Sequence, residues 1–404
     1  MCIQGTPRHM IRIAIIGGGI GGLAAALALL RHGFEVEVHE QAGELREVGA
    51  GIQIGANGTR ILHAVGLAEA LSQTQVIPSG KEARLWSSGE RWRMLDLGAI
   101  AVERYGSPHI LMHRGDLHTI LRAAIERIRP DAVRLGRRCV ALRQDRGSVE
   151  VLFEGGARAE AALVIGADGI HSQVRAVLFG KDAAEFTGCV AWRGLVPMHR
   201  LPPHLARPAA TSWLGPAGHV LHYPVRRGEL MNFIAFVERS DWTIESWTAA
   251  GTTAELGEDF RGWHADVHEI IRHIEVPYKW ALWGRAPMPR WSVGRATLLG
   301  DACHPTLPFL GQGAVMALED AYVLAECVKK YPDPATALSR YEHARRERTA
   351  AIVHAAAQTR QRALSPAFAH ADGVRAYLAR EWEQGPVTAR YDKVYAYDAT
   401  SVAI

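Results

Sequence analysis

From Arg12 to Ile16 the chain reads RIAII, an apolar run without alternation that predicts a parallel strand buried on both faces. The glycine cluster GGGIGG follows, and then Leu23 to Leu30, a strong helix former that Gly33 stops. Glu35 to Glu40 predicts the next strand. The same device returns twice. Leu163-Val164-Ile165 ends in the glycine turn GADG, and the largely apolar run Ala296 to Leu299 delivers Asp301 into GDACHPTLPFLGQG, which opens a helix. Between these, Val133 to Val164 mixes small and charged residues as short strands do. From about Phe186 to Ala286 the character changes. Thr187 to Val196, Thr211 to Leu214, His219 to Tyr223 and, after the Arg226-Arg227-Gly228-Glu229 turn, Met231 to Val237 read as strands of an antiparallel sheet. Two helices are predicted after Ala314, Met316 to Tyr331 and Ala335 to about Arg362. The charged face of the second (Arg340, Glu342, Arg345, Arg346, Arg348) is most simply solvated or bracing.

Composition narrows the class. The 404 residues are 48% hydrophobic and 22% charged, as in a soluble globular protein with a large core. A formal charge of +4, with Lys and Arg scattered over most of the chain, gives no nucleic-acid footprint. Ile13 to Leu30 is uncharged, but five glycines interrupt it and Glu37 and Glu40 soon follow, so neither a membrane span nor a signal sequence is expected. The five cysteines form no CxxC pair and no metal spacing, and their odd number points to a reducing cytoplasm. The oligomer is expected to be a monomer or a homodimer.

Gly17, Gly19 and Gly22 match GxGxxG: a tight turn, room for a pyrophosphate, and close packing of helix on strand. Glu40 stands at the end of the next strand, where a ribose hydroxyl is bound. NAD and FAD satisfy this unit equally. The later motifs separate them. Together with LREVGAGIQIGANG (residues 45–58), HRGDLHTIL (113–121), GADGIHS (166–172) and GDACHPTLPFLGQGAVMALEDA (300–321), the fingerprint resembles the signature of the group A flavoprotein aromatic hydroxylases, the para-hydroxybenzoate hydroxylase family. Within it the chain is most similar to the salicylate, 3-hydroxybenzoate and 6-hydroxynicotinate hydroxylases, and the likeness spans nearly its whole length.

The resemblance implies an α/β fold: a Rossmann-like FAD-binding domain with an inserted antiparallel-sheet substrate domain and C-terminal helices. The expected boundaries are 1–185 and 287–364 for the FAD-binding domain, 186–286 for the substrate sheet and 365–404 for a helical or extended tail. It also implies tightly bound, non-covalent FAD, with NADH or NADPH and O2 as co-substrates, and hydroxylation of a small aromatic or heteroaromatic acid through a flavin C4a-hydroperoxide. Loss of carboxylate accompanies the reaction when the target carbon bears it. Such enzymes serve the catabolism of aromatic compounds. Alternatives from the same residues are a monooxygenase or epoxidase acting on a larger ring, a flavin oxidase, and a non-catalytic FAD-binding redox module.

Carried over residue by residue, the resemblance assigns Glu40 to the adenosine ribose and Arg114 to the pyrophosphate side. Asp301 falls to the ribitol chain, and Asp168 to the turn that serves FAD and the nicotinamide. Gly311, Gln312, Gly313 and Ala314 would present N–H groups at a helix start, where the dipole favours the anionic edge of reduced flavin. The alternative for Asp168 and Asp301 is ordinary turn or N-cap duty. Pro308 is expected above the flavin ring and Phe309 beside it, where relatives often carry a polar residue or histidine. Gln53 stands where one subfamily has histidine. Arg46 and Arg193 are candidates for neutralising a carboxylate or the flavin. With no histidine at position 309, a group that activates the phenol is sought on the sheet, among His219, His222 and Tyr223. His219 and Tyr223 are four apart and share a face. Cys303 reads as a small buried residue rather than a nucleophile.

Overall fold

The computed structural model describes residues 11–44, 50–181, 184–244, 249–383 and 386–404. Strand Arg12–Ile16 lies inside a six-stranded sheet whose order across is Ser292–Val293, Ala296–Leu298, Leu163–Gly166, Arg12–Ile16, Glu35–His39, Val133–Arg134. Its neighbours pair in parallel except at the Ser292–Val293 edge. Because both faces are covered, the central strands need no polar side, which is why RIAII and LVIG read as unbroken apolar runs. Helix Ile20–Arg31, built almost wholly of Ala, Leu, Ile and Gly, packs against helix Gly313–Lys330. The antiparallel strands Cys139–Gln144, Val149–Phe153 and Arg158–Ala161 contribute Val149, Val151 and Phe153 to the same core. Within this sheet the three motif turns, after Ile16, after Gly166 and after Leu299, leave the ends of adjacent parallel strands. In open α/β sheets that end is where nucleotides bind.

The second sheet has seven strands in the order Tyr278–Gly284, Glu185–Pro197, Leu230–Glu238, Gly218–Val225, Ala209–Gly215, Gly80–Leu85, Arg91–Asp96. The expected boundary at residue 186 therefore leaves out two of its strands. Gly80–Leu85 arrives from the first part of the chain and pairs in parallel with Ala209–Gly215, from Gly80 against Ala209 to Leu85 against Leu214. One face of the sheet carries Trp192, Trp213 and Val220 and is closed by helices Thr253–Asp259 and Ala265–Arg272 through Leu256, Phe260, Val267 and Ile270. The other face turns towards the motif turns of the first sheet.

Helix Pro334–Ala363 and the segment beyond it complete the molecule. The expected tail at 365–404 is mainly helical, with Ala371–Leu378 and Pro386–Tyr395. No helix among the described residues is long and apolar enough to cross a membrane.

Candidate active site

The fingerprint turn is shaped by contacts that only bare Cα atoms allow. Gly17 adopts φ +111°, and a Cβ there would lie 2.3 Å from the carbonyl oxygen of Ala167; a Cβ on Gly22 would lie 2.0 Å from that of Gly17. Gly19 has open space beside it and starts helix Ile20–Arg31. Glu40 accepts from the N–H groups of Gly18 (2.7 Å) and Ala42 (2.9 Å), so the acid braces the glycine turn as well as ending its strand. His118 donates from Nε2 to Gly18 O at 2.8 Å and ties helix Arg114–Ile128 to the same loop.

The second motif turn is held differently. The Asp168 carboxylate accepts from Ser172 Oγ (2.5 Å) and from the N–H groups of Gln173 (2.7 Å) and Val174 (3.0 Å), capping helix Gln173–Phe179. Burial pushes its carboxyl up, and these donors oppose the shift. Arg175 then bridges two motifs, donating to Ala302 O (2.9 Å) and Ile170 O (2.7 Å). In the sequence Arg175 stands out only as the residue that follows the turn.

Asp301 and Arg114 line one cavity of about 350 Å³ together with Pro308, Phe309, Gly311, Gly313 and Ala314. Burial raises the carboxyl of Asp301, while His304 and Arg114 draw it back. Helix Gly313–Lys330 begins at this cavity, so the N–H groups of its first turn have no carbonyl within their own helix. Gln312 sits just before it and accepts from Asn57 Nδ2 at 3.0 Å.

Behind this turn lies an ionic network that helical periodicity did not disclose. Arg345, fully buried, donates to Glu319 (2.6 Å) and Asp320 (2.8 Å), which are themselves 0% exposed. Asn57 donates to Glu319 at 2.7 Å, His304 Nε2 donates to Asp320 at 2.6 Å, and Gly300 N–H donates to Asp320 at 3.2 Å. Arg345 also reaches Tyr397 OH (2.7 Å). Of the expected charged face, Arg345 is thus bracing, whereas Arg340 and Arg346 face solvent. Cys303 is buried beside this network, which drives its thiol well above the ordinary range and leaves it inert.

The sheet supplies the cavity floor. Arg193, Ser212, Leu214, His219, Leu221, Tyr223, Ile234 and Trp280 all point into it, as does Gln53 from strand Gly51–Ile54. His219 stacks on Phe236 (centroids 5.9 Å apart), which meets Phe309 at 4.5 Å. Both ring nitrogens of His219 are buried with no hydrogen-bond partner, and burial lowers its pKa to about 4, so the imidazole is neutral. Tyr223 is buried, and its phenol is pushed up by that burial. A Cβ on Gly51 would lie 2.7 Å from the Tyr223 ring, so this glycine is what lets the ring come so close to strand Gly51–Ile54. The guanidinium of Arg193 lies 5.5 Å from the rings of both Tyr278 and Trp280.

His222 is a correction. Its neighbours His219, Leu221 and Tyr223 face the cavity, and strand alternation sends His222 to the opposite face, where Nδ1 meets Met231 Sδ at 3.3 Å and burial lowers its pKa to about 3. Arg46 lies outside the described residues. Lys81, Trp280, Tyr377 and Tyr391 line the cavity without having been singled out in the sequence. Only Lys81 left a signal there: it shares a strand face with Ala83 and Leu85.

Parallel-sheet glycine turns, an acid open to the cavity and an aromatic floor make a dinucleotide-binding enzyme the class that this site fits. Residues 10–356 match the family described as FAD binding domain, and the chain belongs to that family. The chain is 44% identical over 338 residues to 3-amino-4-hydroxybenzoate 2-monooxygenase PtnB3 of Streptomyces platensis, covering 83% of this chain and 84% of that one. It is 36% identical over 346 residues to 6-hydroxynicotinate 3-monooxygenase of Pseudomonas fluorescens, covering 84% and 89%. Among solved structures, Klebsiella pneumoniae HpxO complexed with FAD and uric acid superposes with a TM-score of 0.83 at 28% identity, covering 96% and 97%. The protein is an FAD-dependent, NAD(P)H-consuming aromatic monooxygenase. The 6-hydroxynicotinate enzymes were expected among its relatives; the aminohydroxybenzoate enzymes were not.

Replacing Asp301 by alanine is expected to weaken FAD retention by about ten- to a hundredfold, the worth of hydrogen bonds to a charged group. Flavin content after gel filtration and an FAD titration check this. Parent-like affinity would remove Asp301 from the cofactor site.

Proposed function

We propose that the protein hydroxylates a small aromatic acid of the 3-amino-4-hydroxybenzoate kind, whose ring carries a hydroxyl or amino group beside or opposite the carbon attacked. The observation that carries this reading is the neutral, unpartnered His219, which shares with Tyr223, four residues further along the strand, the face that forms an aromatic cavity floor. Relatives at 44% and 36% identity act, by name, on aminohydroxybenzoate and hydroxynicotinate acids.

The chain's residues fit FAD. Gly17, Gly19 and Gly22 leave room for the pyrophosphate, Glu40 and Arg114 suit the adenosine ribose and phosphate side, and Asp301 the ribitol. Asp168 acts from the neighbouring turn by holding its backbone. Gly311, Gln312, Gly313 and Ala314 offer N–H donors at a helix start, suited to negative charge on the ring. Bound and reduced by NAD(P)H, the flavin supplies activated oxygen for electrophilic transfer. The protein's part is then positioning, dryness and proton management. His219, neutral, accepts a hydrogen bond from the substrate's hydroxyl or amino group and so raises electron density in the ring. Tyr223 stays protonated and donates to the developing oxyanion. Trp280, Phe309 and Pro308 wall the ring in and exclude water, with Phe236 packed behind Phe309, while Gln53 and Arg193 orient it. A cytoplasmic location suits the four described cysteines, all free and buried; the same reading keeps the assembly a monomer or homodimer.

The test is a panel of hydroxybenzoates, aminohydroxybenzoates and hydroxynicotinates, each scored for stimulation of NADH and NADPH oxidation and for hydroxylated product. The aminohydroxybenzoate is expected to stimulate most, with product matching the reductant consumed. If no acid stimulates oxidation, the reading fails.

A further inference from the structure

We infer that Lys81 is the counter-ion for the substrate's carboxylate, a specificity residue that selects ionised aromatic acids over their neutral analogues. The inference rests on the substrate class proposed above. Lys81 belongs to the strand Gly80–Leu85 that the second sheet recruits from the first part of the chain, and it lines the cavity. It pairs with Ala210, and Ala210 precedes Thr211, the partner of His222. Lys81 and Tyr223 therefore stand at the same level on one face, two strand spacings or about 10 Å apart. The residue between them is alanine, which leaves the floor low enough for a ring to lie across it. A hydroxyl and a carboxylate on well-separated carbons of one six-membered ring span that gap, one towards Tyr223 and the other towards the flexible lysine stem.

The surroundings of the ammonium agree. Nζ lies 3.3 Å from Tyr395 OH and 4.8 Å from the centroid of the Tyr391 ring. Among the described residues no carboxylate lies within 4.0 Å of it. A charge at the wall of an apolar cavity without an anion is costly to maintain unless a ligand supplies one. Burial pulls the ammonium's pKa down, but Tyr391 and Tyr395 more than restore it, so Lys81 is charged at neutral pH. The other cavity cations stand elsewhere. Arg114 is close enough to Asp301 to shift its titration, on the cofactor side, and Arg193 lies against Tyr278 and Trp280 towards the opposite edge of the sheet.

The experiment titrates FAD-loaded parent, Lys81→Met, Lys81→Gln and Lys81→Arg with 3-amino-4-hydroxybenzoate and with its carboxamide, following the flavin absorbance. The parent is expected to bind the acid at least tenfold more tightly than the amide. Lys81→Met and Lys81→Gln should lose about ten- to a hundredfold in affinity for the acid and almost none for the amide, and Lys81→Arg should recover part of the loss. Equal losses for acid and amide would make Lys81 a brace for the Tyr391 and Tyr395 helix and overturn the inference; so would parent-like acid binding in both neutral variants. If the parent itself does not prefer the acid, the proposed substrate class fails and the role of Lys81 fails with it.

Discussion

Tyr223→Phe is expected to lower the rate of coupled hydroxylation by about ten- to a hundredfold, the range of one hydrogen bond to a charged group, while flavin reduction by NAD(P)H changes by less than about threefold. The reason is positional. Tyr223 lies in the cavity floor, its phenol kept protonated by burial, and its ring is seated against Gly51 and Asn232. The substitution removes one hydroxyl and nothing else, so the ring keeps its packing and only the hydrogen bond to the reacting substrate is lost. Stopped-flow separation of the reductive and oxidative half-reactions reads both rates, and product per reductant reads the coupling. Equal effects on the two half-reactions would take Tyr223 away from the ring. His222→Leu is the control from the other face: it should alter coupling little, because His222 packs against Met231 behind the sheet.

The largest effect on folding is expected from Arg345→Ala, a loss of about 3–5 kcal/mol from leaving two buried carboxylates without the cation they share. Glu319 and Asp320 are both fully buried and both bonded to this one guanidinium. Glu319 keeps a longer contact to Arg348 at 3.5 Å, while Asn57, His304 and Gly300 come from segments beside the flavin turn, so the network joins the fold's stability to the placement of Gln312 and the Asp301 loop. Arg345→Lys should restore only part of the loss, since an ammonium cannot make the forked contact to two acids. Urea unfolding of the FAD-free proteins measures this without the cofactor's own contribution. A loss below about 1 kcal/mol, the worth of a surface ion pair, would contradict the network's role.

Much of this architecture was legible where the signal is local. RIAII, the glycine turn and the alanine-rich helix encode their own geometry, and the structure begins that helix at Ile20 and ends it at Arg31. The strands from Glu185 to Glu238 were readable because alternation and the arginine turn repeat at short range. What was hidden depends on partners distant in sequence. Gly80–Leu85 and Arg91–Asp96 carry many charges, and they join the sheet only because the first pairs with Ala209–Gly215 and the second pairs with the first. Arg345 belongs to a charged helical face, and nothing in that periodicity tells that Glu319 and Asp320 bury it. For the floor, alternation placed His219 and Tyr223 on one face, but it could not say which face meets the cavity; that choice came from the helices packed over Val220. Lys81 was passed over for the same reason, since a lysine has meaning in a cavity only once the opposite wall is known.

Monooxygenation by this protein is tested most directly by a turnover under 18O2 with the FAD-loaded protein, NAD(P)H and the aromatic acid that best stimulates oxidation. The expected product carries one added 18O atom in a ring hydroxyl and forms nearly one for one with reductant consumed. Reductant consumption that yields only hydrogen peroxide, or a product whose new oxygen comes from water, would contradict it.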